Sequence, residues 1–190
     1  TVLGPADGPL ASGLEGVGAG ASACSDFEAL RETLKGNVVA PAVVLADCGA
    51  MERAGGATVR AVGPDSDDRA LPALVHAGVQ RTLELLQAWL ADERLAQSRL
   101  ALVTHGAVDL ASVSHDAPLA SGLIGASLWG LLRSAQSEHP GRFVLVDLDH
   151  AAASLRALPA ALACGEPQVA VREGRLSAPR LARMASPTRD

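Results

Sequence analysis

The sequence of 190 residues predicts an α/β fold with a mainly parallel sheet flanked by helices. Short runs rich in Val and Leu alternate with longer amphipathic stretches, which is the rhythm of βαβ units. Most of the short runs are apolar at every position, as strands covered on both faces are. A chain of this length hides roughly 70% of its unfolded surface in one core. We therefore expect residues 1–190 to form one domain.

The apolar runs place the strands of this sheet. They are expected at Thr1–Leu3, Ser22–Cys24, Val43–Ala46, Leu100–Thr104, Phe143–Val146 and Val169–Arg172. The stretch "VAVREGRL" continues after Glu173-Gly174 with a second extended pattern. Because Gly marks a tight turn between two such patterns, Val169–Leu181 is predicted to hold two strands.

Four longer amphipathic stretches predict helices at Asp26–Leu34, Leu71–Ala91, Leu119–Glu138 and Ala151–Ala163. Ser25 and Glu28 have the spacing of a capping box at the start of the first helix. The third helix is expected to end before His139-Pro140, because the residue before a proline is disfavoured in α geometry. Gly49–Arg69 is rich in Gly, Asp and Pro and predicts a long exposed loop.

Composition excludes two classes of partner. The net charge is −5 without a basic cluster, so no nucleic-acid partner is expected. The longest uncharged run, Ala117–Leu132, falls short of the ~20 apolar residues of a membrane span.

Cys24, Cys48 and Cys164 are odd in number and widely separated, which indicates reduced thiols and a cytoplasmic protein. Since the sequence opens in a strand without an initiator Met, we expect a fragment of a longer protein.

The segment "GLEGVGAGASAC" holds Gly16, Gly18 and Ala21 at the spacing of a dinucleotide-binding fingerprint. A true fingerprint follows a strand directly and opens a helix. Here a turn and a short helix separate the glycines from the first strand, and Asp47 lies too far along to be the ribose-binding carboxylate. We therefore interpret the run as the end of a short helix, leading into the second strand, and predict no cofactor there.

His105 follows an apolar strand, a position where α/β proteins place catalytic groups. Ser112, Ser114, His115 and Asp116 come soon after it and contain the residue types of a hydrolase triad. The G-x-S-x-G elbow is missing from the sequence, so a solvated turn is the favoured interpretation. An independent hydrolase that uses His105 remains the alternative function.

Two further clusters have structural explanations. Asp147-Leu148-Asp149-His150 is predicted to be a strand end that caps the next helix, and no metal site is expected. Trp129 and Arg133 are four residues apart on one helix, so the guanidinium can lie over the indole while Glu138 stands further along. Trp129 is expected to anchor its helix against the sheet, and contact of the same helix with a partner domain remains the alternative.

The sequence contains no Tyr and a single Lys, Lys35. Short-chain reductases protonate their product with a Tyr phenol, and that donor is missing here. The segments "LWGLLRSAQSEHPGRFVLVDLD", Leu128–Asp149, and "GEPQVAVREGRLSAPRLARM", Gly165–Met184, resemble the structural subdomain of the ketoreductase domains of modular type I polyketide synthases. Over residues 1–70 only "TVLGPADGPL" and "VVLAD" fit that pattern.

This resemblance implies a truncated Rossmann-like half that holds no cofactor and no catalytic residue. A separate catalytic half would bind NADPH and carry the Ser, Tyr and Lys of catalysis. The acyl carrier protein of the module is a further implied partner, and an enoylreductase domain can follow at this boundary. The residues expected at the domain interface or in packing are Trp129, Arg133, Glu138, Val169, Val171, Arg172, Leu176, Arg180 and Leu181.

Overall fold

The computed structural model describes residues 1–36, 38–48, 70–110 and 119–182. Their elements are, in chain order, β1 (Val2–Leu3), α1 (Pro9–Glu15), β2 (Ala23–Cys24), α2 (Phe27–Lys35), β3 (Val43–Asp47), α3 (Ala70–Ala91), a 3₁₀ turn (Glu93–Leu95), β4 (Arg99–His105), α4 (Leu119–Glu138), β5 (Phe143–Leu148), α5 (Ala152–Ala163), β6 (Gln168–Arg172) and β7 (Arg175–Ser177). Within these ranges no helix combines the length and apolarity that crossing a membrane requires. The predicted loop Gly49–Arg69 lies outside the described residues.

All seven strands form one sheet in the order β2-β1-β3-β4-β5-β6-β7. Neighbouring strands are parallel except β6 and β7, which pair antiparallel. The predicted α/β class with a mainly parallel sheet is confirmed. The predicted split at Glu173-Gly174 is also confirmed, since both residues have positive φ, 50° and 80°, in the β6–β7 turn. The last strand ends at Ser177, earlier than the predicted Leu181.

The sheet is covered on both faces, because successive side chains of each strand point to opposite sides. In β4, Leu100 and Leu102 pack on one side with α2, α3 and α4, which we call the front face. Ala101 and Val103 pack on the other side with α1 and α5, which we call the back face. The runs Leu100–Val103 in β4 and Phe143–Val146 in β5 are therefore apolar at every position, as the sequence predicts.

The connection from β5 to β6 differs from its neighbours. The steps β3–α3–β4, β4–α4–β5 and β5–α5–β6 all run in the same direction across the sheet, yet α5 lies on the back face and the other two helices lie on the front face. The β5–α5–β6 crossover therefore has the opposite hand to the other two. Since parallel crossovers are right-handed in about 98% of cases, this one belongs to the rare left-handed class.

The start of α2 corrects one prediction. The helix is capped by Asp26, whose Oδ1 accepts a hydrogen bond of 2.8 Å from the Ala29 N–H. Ser25 donates to Asp26 Oδ2 instead, at 3.2 Å, and Glu28 pairs with Arg31 at 3.1 Å. The predicted Ser25–Glu28 capping box is wrong because the N-cap lies one residue later, where the Asp26 carboxylate accepts from the Ala29 N–H.

Candidate functional site

The carboxyl ends of the parallel strands meet at one edge of the sheet, which we call the carboxyl edge. Strand order reverses between β1 and β3, since β2 lies on one side of β1 and all later strands lie on the other. Doubly wound sheets bind their ligands in the crevice outside such a reversal. The carboxyl edge is therefore the place to test for a site, and His105, Asp47 and Asp149 all lie there.

The β1–α1 turn at this edge does not fit a dinucleotide pyrophosphate. Such a group needs free N–H donors and the positive end of a helix. Here Pro9 starts α1 and has no N–H, and the exposed Asp7 places a negative charge next to the helix N-terminus. The Gly8 N-cap provides no side-chain hydrogen bond. This turn opposes an anion rather than attracting one.

The glycine run lies at the opposite edge, where α1 ends. Gly16 is the C-cap of α1, Gly18 has a positive φ of 70°, and the chain then enters β2. The predicted helix end leading into the second strand is confirmed. The C-terminal end of a helix presents carbonyl oxygens and a partial negative charge, so the glycine run would repel a phosphate.

Four side chains of the front face form a buried hydrogen-bonded group, which we call the Asp147 cluster. Trp129 Nε1 donates to Thr104 Oγ1 at 2.9 Å, and Thr104 Oγ1 donates to Asp147 Oδ1 at 2.6 Å. Arg172 Nη2 lies 2.5 Å from Asp147 Oδ2. Asp147 and Arg172 are 0% and 3% exposed, so both charges are removed from water and compensated by each other.

The Asp147 cluster also ties down the loop after β4. The N–H groups of Ala107 and Val108 donate to the two carboxylate oxygens of Asp147 at 2.9 and 3.1 Å. Arg172 donates to the Val108 carbonyl at 2.7 Å and to the Asp147 carbonyl at 2.9 Å. Because both oxygens of Asp147 are occupied by these donors, the cluster joins β4, α4, β5 and β6 and serves as a structural tie.

The cluster corrects the interpretation of Asp147 to His150 as one cap, because its two carboxylates have separate roles. Asp147 points into the front face, whereas Asp149 Oδ1 accepts from the Ala151 N–H at 3.0 Å at the start of α5. Burial acts to raise the pKa of Asp149, but hydrogen bonds from Ser154, Glu173 and Ala151 outweigh it and lower that pKa below its ordinary value.

On the back face, His105 lies between two other titratable groups. Its Nε2 is 3.5 Å from Asp47 Oδ1, and its ring stacks on His150 with centroids 5.5 Å apart and planes 4° from parallel. The His105 imidazole and the Asp47 carboxylate form an ion pair when the imidazole is protonated. The candidate triad residues Ser112, Ser114, His115 and Asp116 lie outside the described residues. Among the residues that are described, no group of three or more side chains is arranged to hold a metal ion.

The predicted interface or packing residues divide by burial. Trp129, Val169, Val171 and Arg172 are buried inside the fold. Arg133, Glu138, Leu176, Arg180 and Leu181 are exposed. The Arg133 guanidinium lies 5.5 Å from the centroid of the Trp129 ring, as the i, i+4 spacing predicts, and Arg133 Nε donates to Gln168 at 3.1 Å.

One ion pair has no signal in the sequence. Arg180, beyond β7, donates to both carboxylate oxygens of Glu166 at 2.6 and 3.0 Å. The hydrogen bond from Arg180 lowers the pKa of Glu166, and the same bond raises the pKa of Arg180. The two residues are 14 positions apart with no helical periodicity between them, so only the folded chain brings them together.

Comparison with known proteins gives consistent matches. A family model described as "Polyketide synthase extender module SpnB, Rossmann fold domain" matches residues 3–181. The chain is 45% identical over 182 residues to polyketide synthase GfsE of Streptomyces halstedii, covering 96% of this chain and 4% of that protein. It is 47% identical over 156 residues to spectinabilin polyketide synthase system protein NorB of Streptomyces orinoci, covering 82% and 6% respectively. The chain thus spans less than a tenth of these relatives.

A solved structure described as "Structure of A-type Ketoreductases from Modular Polyketide Synthase" shares the fold. The match has a TM-score of 0.59 and 24% identity, and it covers 98% of this chain and 39% of that chain. The Rossmann-like architecture expected from the sequence therefore has a counterpart of known structure.

Proposed function

The chain belongs to the family of Rossmann-fold domains of polyketide synthase extender modules, and on that premise we propose that it is the non-catalytic structural half of a ketoreductase domain. In this role residues 1–190 dock on and stabilise a catalytic half. That half binds NADPH and reduces a carrier-bound β-ketoacyl thioester to the β-hydroxyacyl form. The chain itself takes no cofactor and supplies no reacting group.

The observation that carries the proposal is the β1–α1 turn at the carboxyl edge. In a Rossmann fold that binds NADPH, the first turn supplies N–H donors to the pyrophosphate. In this chain Asp7 and Pro9 oppose that role, and the glycine run lies at the other end of α1. The lack of any Tyr supports the same proposal, because ketoreduction of this type needs a phenolic proton donor.

The remaining partners follow from the proposed role. The catalytic half belongs to the same polypeptide in the parent synthase, and the acyl carrier protein delivers the substrate to it. An enoylreductase domain inserted after this chain is compatible with the role. We place the parent synthase in the cytoplasm, which agrees with the odd number and wide separation of Cys24, Cys48 and Cys164 in the sequence.

The contact between His105 and Asp47 supports one second candidate, an independent hydrolase. In that case the imidazole acts as a general base oriented by the carboxylate. We rank this role second because the Asp147 cluster makes the neighbouring loop a structural tie. The His105→Gln variant tests this role. A hydrolysis rate that is lower in the variant than in the original chain would favour the enzyme over the scaffold.

Two measurements test the scaffold role. NADPH is titrated against this chain alone and followed by calorimetry, with a ketoreductase catalytic half as the positive control. The chain is expected to give no binding heat, and the catalytic half to bind.

A simplified β-ketoacyl thioester is then offered with NADPH to the chain, and to the chain joined to the catalytic half. Reduction is expected only from the joined protein. Micromolar NADPH binding by the chain alone would overturn the proposal.

A further inference from the structure

The β6–β7 turn is held in an unusual conformation by the start of α5. Glu173 is the only described residue other than Gly with a positive φ, 50°, and Gly174 follows with a φ of 80°. The Glu173 N–H donates to Asp149 Oδ2 at 2.6 Å, and the Gly174 N–H donates to Ser154 Oγ at 3.1 Å. We call Asp149 and Ser154 the turn clamp. It offsets the cost of placing a side chain in left-handed geometry.

A second contact holds the chain beyond β7. The Arg180 guanidinium binds both oxygens of the Glu166 carboxylate, and Arg180 Nη1 also donates to the Pro179 carbonyl at 2.9 Å. Glu166 lies just before β6, so this bidentate pair fixes residues 178–182 beside the start of that strand. We call Arg180 and Glu166 the tail clamp.

The segment between the clamps is exposed although contacts hold it at both ends. All three residues of β7 are exposed, and β7 is the last strand of the described sheet. Leu176 is 39% and Leu181 106% exposed, two of the five large apolar side chains with this property among the described residues. An ordered strand at a sheet edge is a template for another strand, and ordering it beforehand lowers the entropic cost of binding.

We infer that the two clamps hold β7 and residues 178–182 ready for a strand of the ketoreductase catalytic half, with Leu176 and Leu181 as apolar anchors. This inference rests on the proposed function. The occupant is chosen because the matched ketoreductase structure shares this fold over only 39% of its chain, so most of that chain lies beyond the shared part. Asp149, Ser154, Glu166 and Arg180 act as positioning residues, since each shapes the binding segment through its backbone or its path.

The test compares this chain alone with the same chain joined to a catalytic half in one polypeptide. Hydrogen exchange of residues 175–182 is expected to slow about tenfold in the joined protein. Glu166→Gln removes the charge and one acceptor oxygen of the tail clamp, and we expect it to speed exchange in the free chain and to abolish most of the slowing in the joined protein. Leu181→Asp is expected to abolish the slowing without changing exchange in the free chain.

Glu32→Gln is the matched control, because Glu32 forms an exposed pair with Lys35 on α2, far along the sheet from β7. It is expected to leave exchange of residues 175–182 unchanged. A joined protein that reduces its substrate but shows free-chain exchange in residues 175–182 overturns the inference and leaves the proposed function standing. A joined protein without NADPH-dependent reduction counts against the proposed function. Unchanged exchange in the free Glu166→Gln chain would refute the tail clamp.

Discussion

At the scale of single residues, the two tryptophans offer a controlled comparison. Trp89 and Trp129 are both buried on the front face, 0% and 5% exposed. Trp129 Nε1 donates to Thr104, whereas Trp89 Nε1 has no hydrogen-bond partner in the described structure. The same indole group is therefore satisfied at one position and unsatisfied at the other.

Replacing each tryptophan by Phe removes similar volume but only one hydrogen bond. We expect Trp129→Phe to lower the free energy of unfolding by about 1–2 kcal/mol more than Trp89→Phe does. Trp129→Ala should cost about 3–5 kcal/mol, through the cavity it leaves. Urea unfolding followed by far-ultraviolet circular dichroism measures all three. Equal losses for the two Phe variants would mean that the Trp129–Thr104 bond contributes nothing net.

Asp92 makes stability depend on acid. Its carboxylate accepts from Arg94 Nη2 at 2.5 Å and Nε at 2.8 Å, and from Arg31 Nε at 3.3 Å. The hydrogen bond from Arg94 lowers the pKa of Asp92 to about 2, against burial, which acts to raise it. A carboxyl with a lowered folded pKa stabilises the fold above its unfolded pKa of about 3.9. That stabilisation is lost as pH falls toward about 2.

We therefore expect the chain to lose about 1–2 kcal/mol through Asp92 between pH 4 and pH 2, as an order of magnitude. Asp92→Asn should lower stability at neutral pH and flatten its dependence on pH in this range. Denaturant midpoints measured at several pH values provide the test. Glu93→Gln, at an exposed acid next to it, is the control and should keep the slope of the original chain. A parallel slope in Asp92→Asn would contradict the assignment.

At the scale of elements, the Asp147–Arg172 pair joins β5 to β6 and both to the loop after β4. Removing one member of a buried ion pair leaves the other charged and unpaired, which costs about 3–5 kcal/mol. We expect Asp147→Leu to be destabilised by that amount, and the double variant Asp147→Leu with Arg172→Met to recover much of it. Denaturant unfolding of the single and double variants measures this coupling.

Hydrogen exchange in the loop after β4 distinguishes two roles of the Asp147–Arg172 pair: packing in the core and holding that loop in place. The N–H groups of Ala107 and Val108 lose their acceptor in both variants, so their hydrogen exchange should rise in both. Protected amides at these two positions in the double variant would show that the loop is held by other contacts.

The elements with strong periodicity were predictable, and those set by competing polar groups were not. Apolar runs such as Leu100–Thr104 predict buried strands because every position is covered. The α2 cap was missed because Ser25 and Asp26 are both acceptors, and only geometry decides between them. The hydrogen bonds of Asp147 join residues up to 43 positions apart in the sequence. Local sequence patterns do not predict contacts over such a separation. The position of the glycine run, at the end of α1 and before β2, was predicted correctly because its signals are local in the chain.

At the scale of the whole molecule, both tryptophans report on the front face while α1 and α5 cover the back face. The two clusters share the strands of one sheet, so we expect them to unfold together as one domain. Leu158, fully buried in α5, belongs to the back cluster. Leu158→Ala should lower stability by about 2–5 kcal/mol, and tryptophan fluorescence should report that loss although no tryptophan lies on its face.

Leu132→Ala on the front face is the matched control, since Leu132 is equally buried. Both variants should show coincident transitions by fluorescence and by circular dichroism. A Leu158→Ala chain whose fluorescence transition stays at the original midpoint, while its circular dichroism shifts, would show that the two faces unfold separately.

The antiparallel direction of β7 determines where neighbouring units can be attached. All other strands run to the carboxyl edge from the opposite edge of the sheet, which we call the amino edge. Strand β1 therefore starts at the amino edge, and β7, which runs antiparallel, ends there too. Five strand spacings separate β1 from β7, roughly 24 Å at about 4.8 Å each. A unit joined before β1 and a unit joined after β7 would therefore both be attached at the amino edge, next to each other. Both connections would then lie at the edge of the sheet opposite the carboxyl edge.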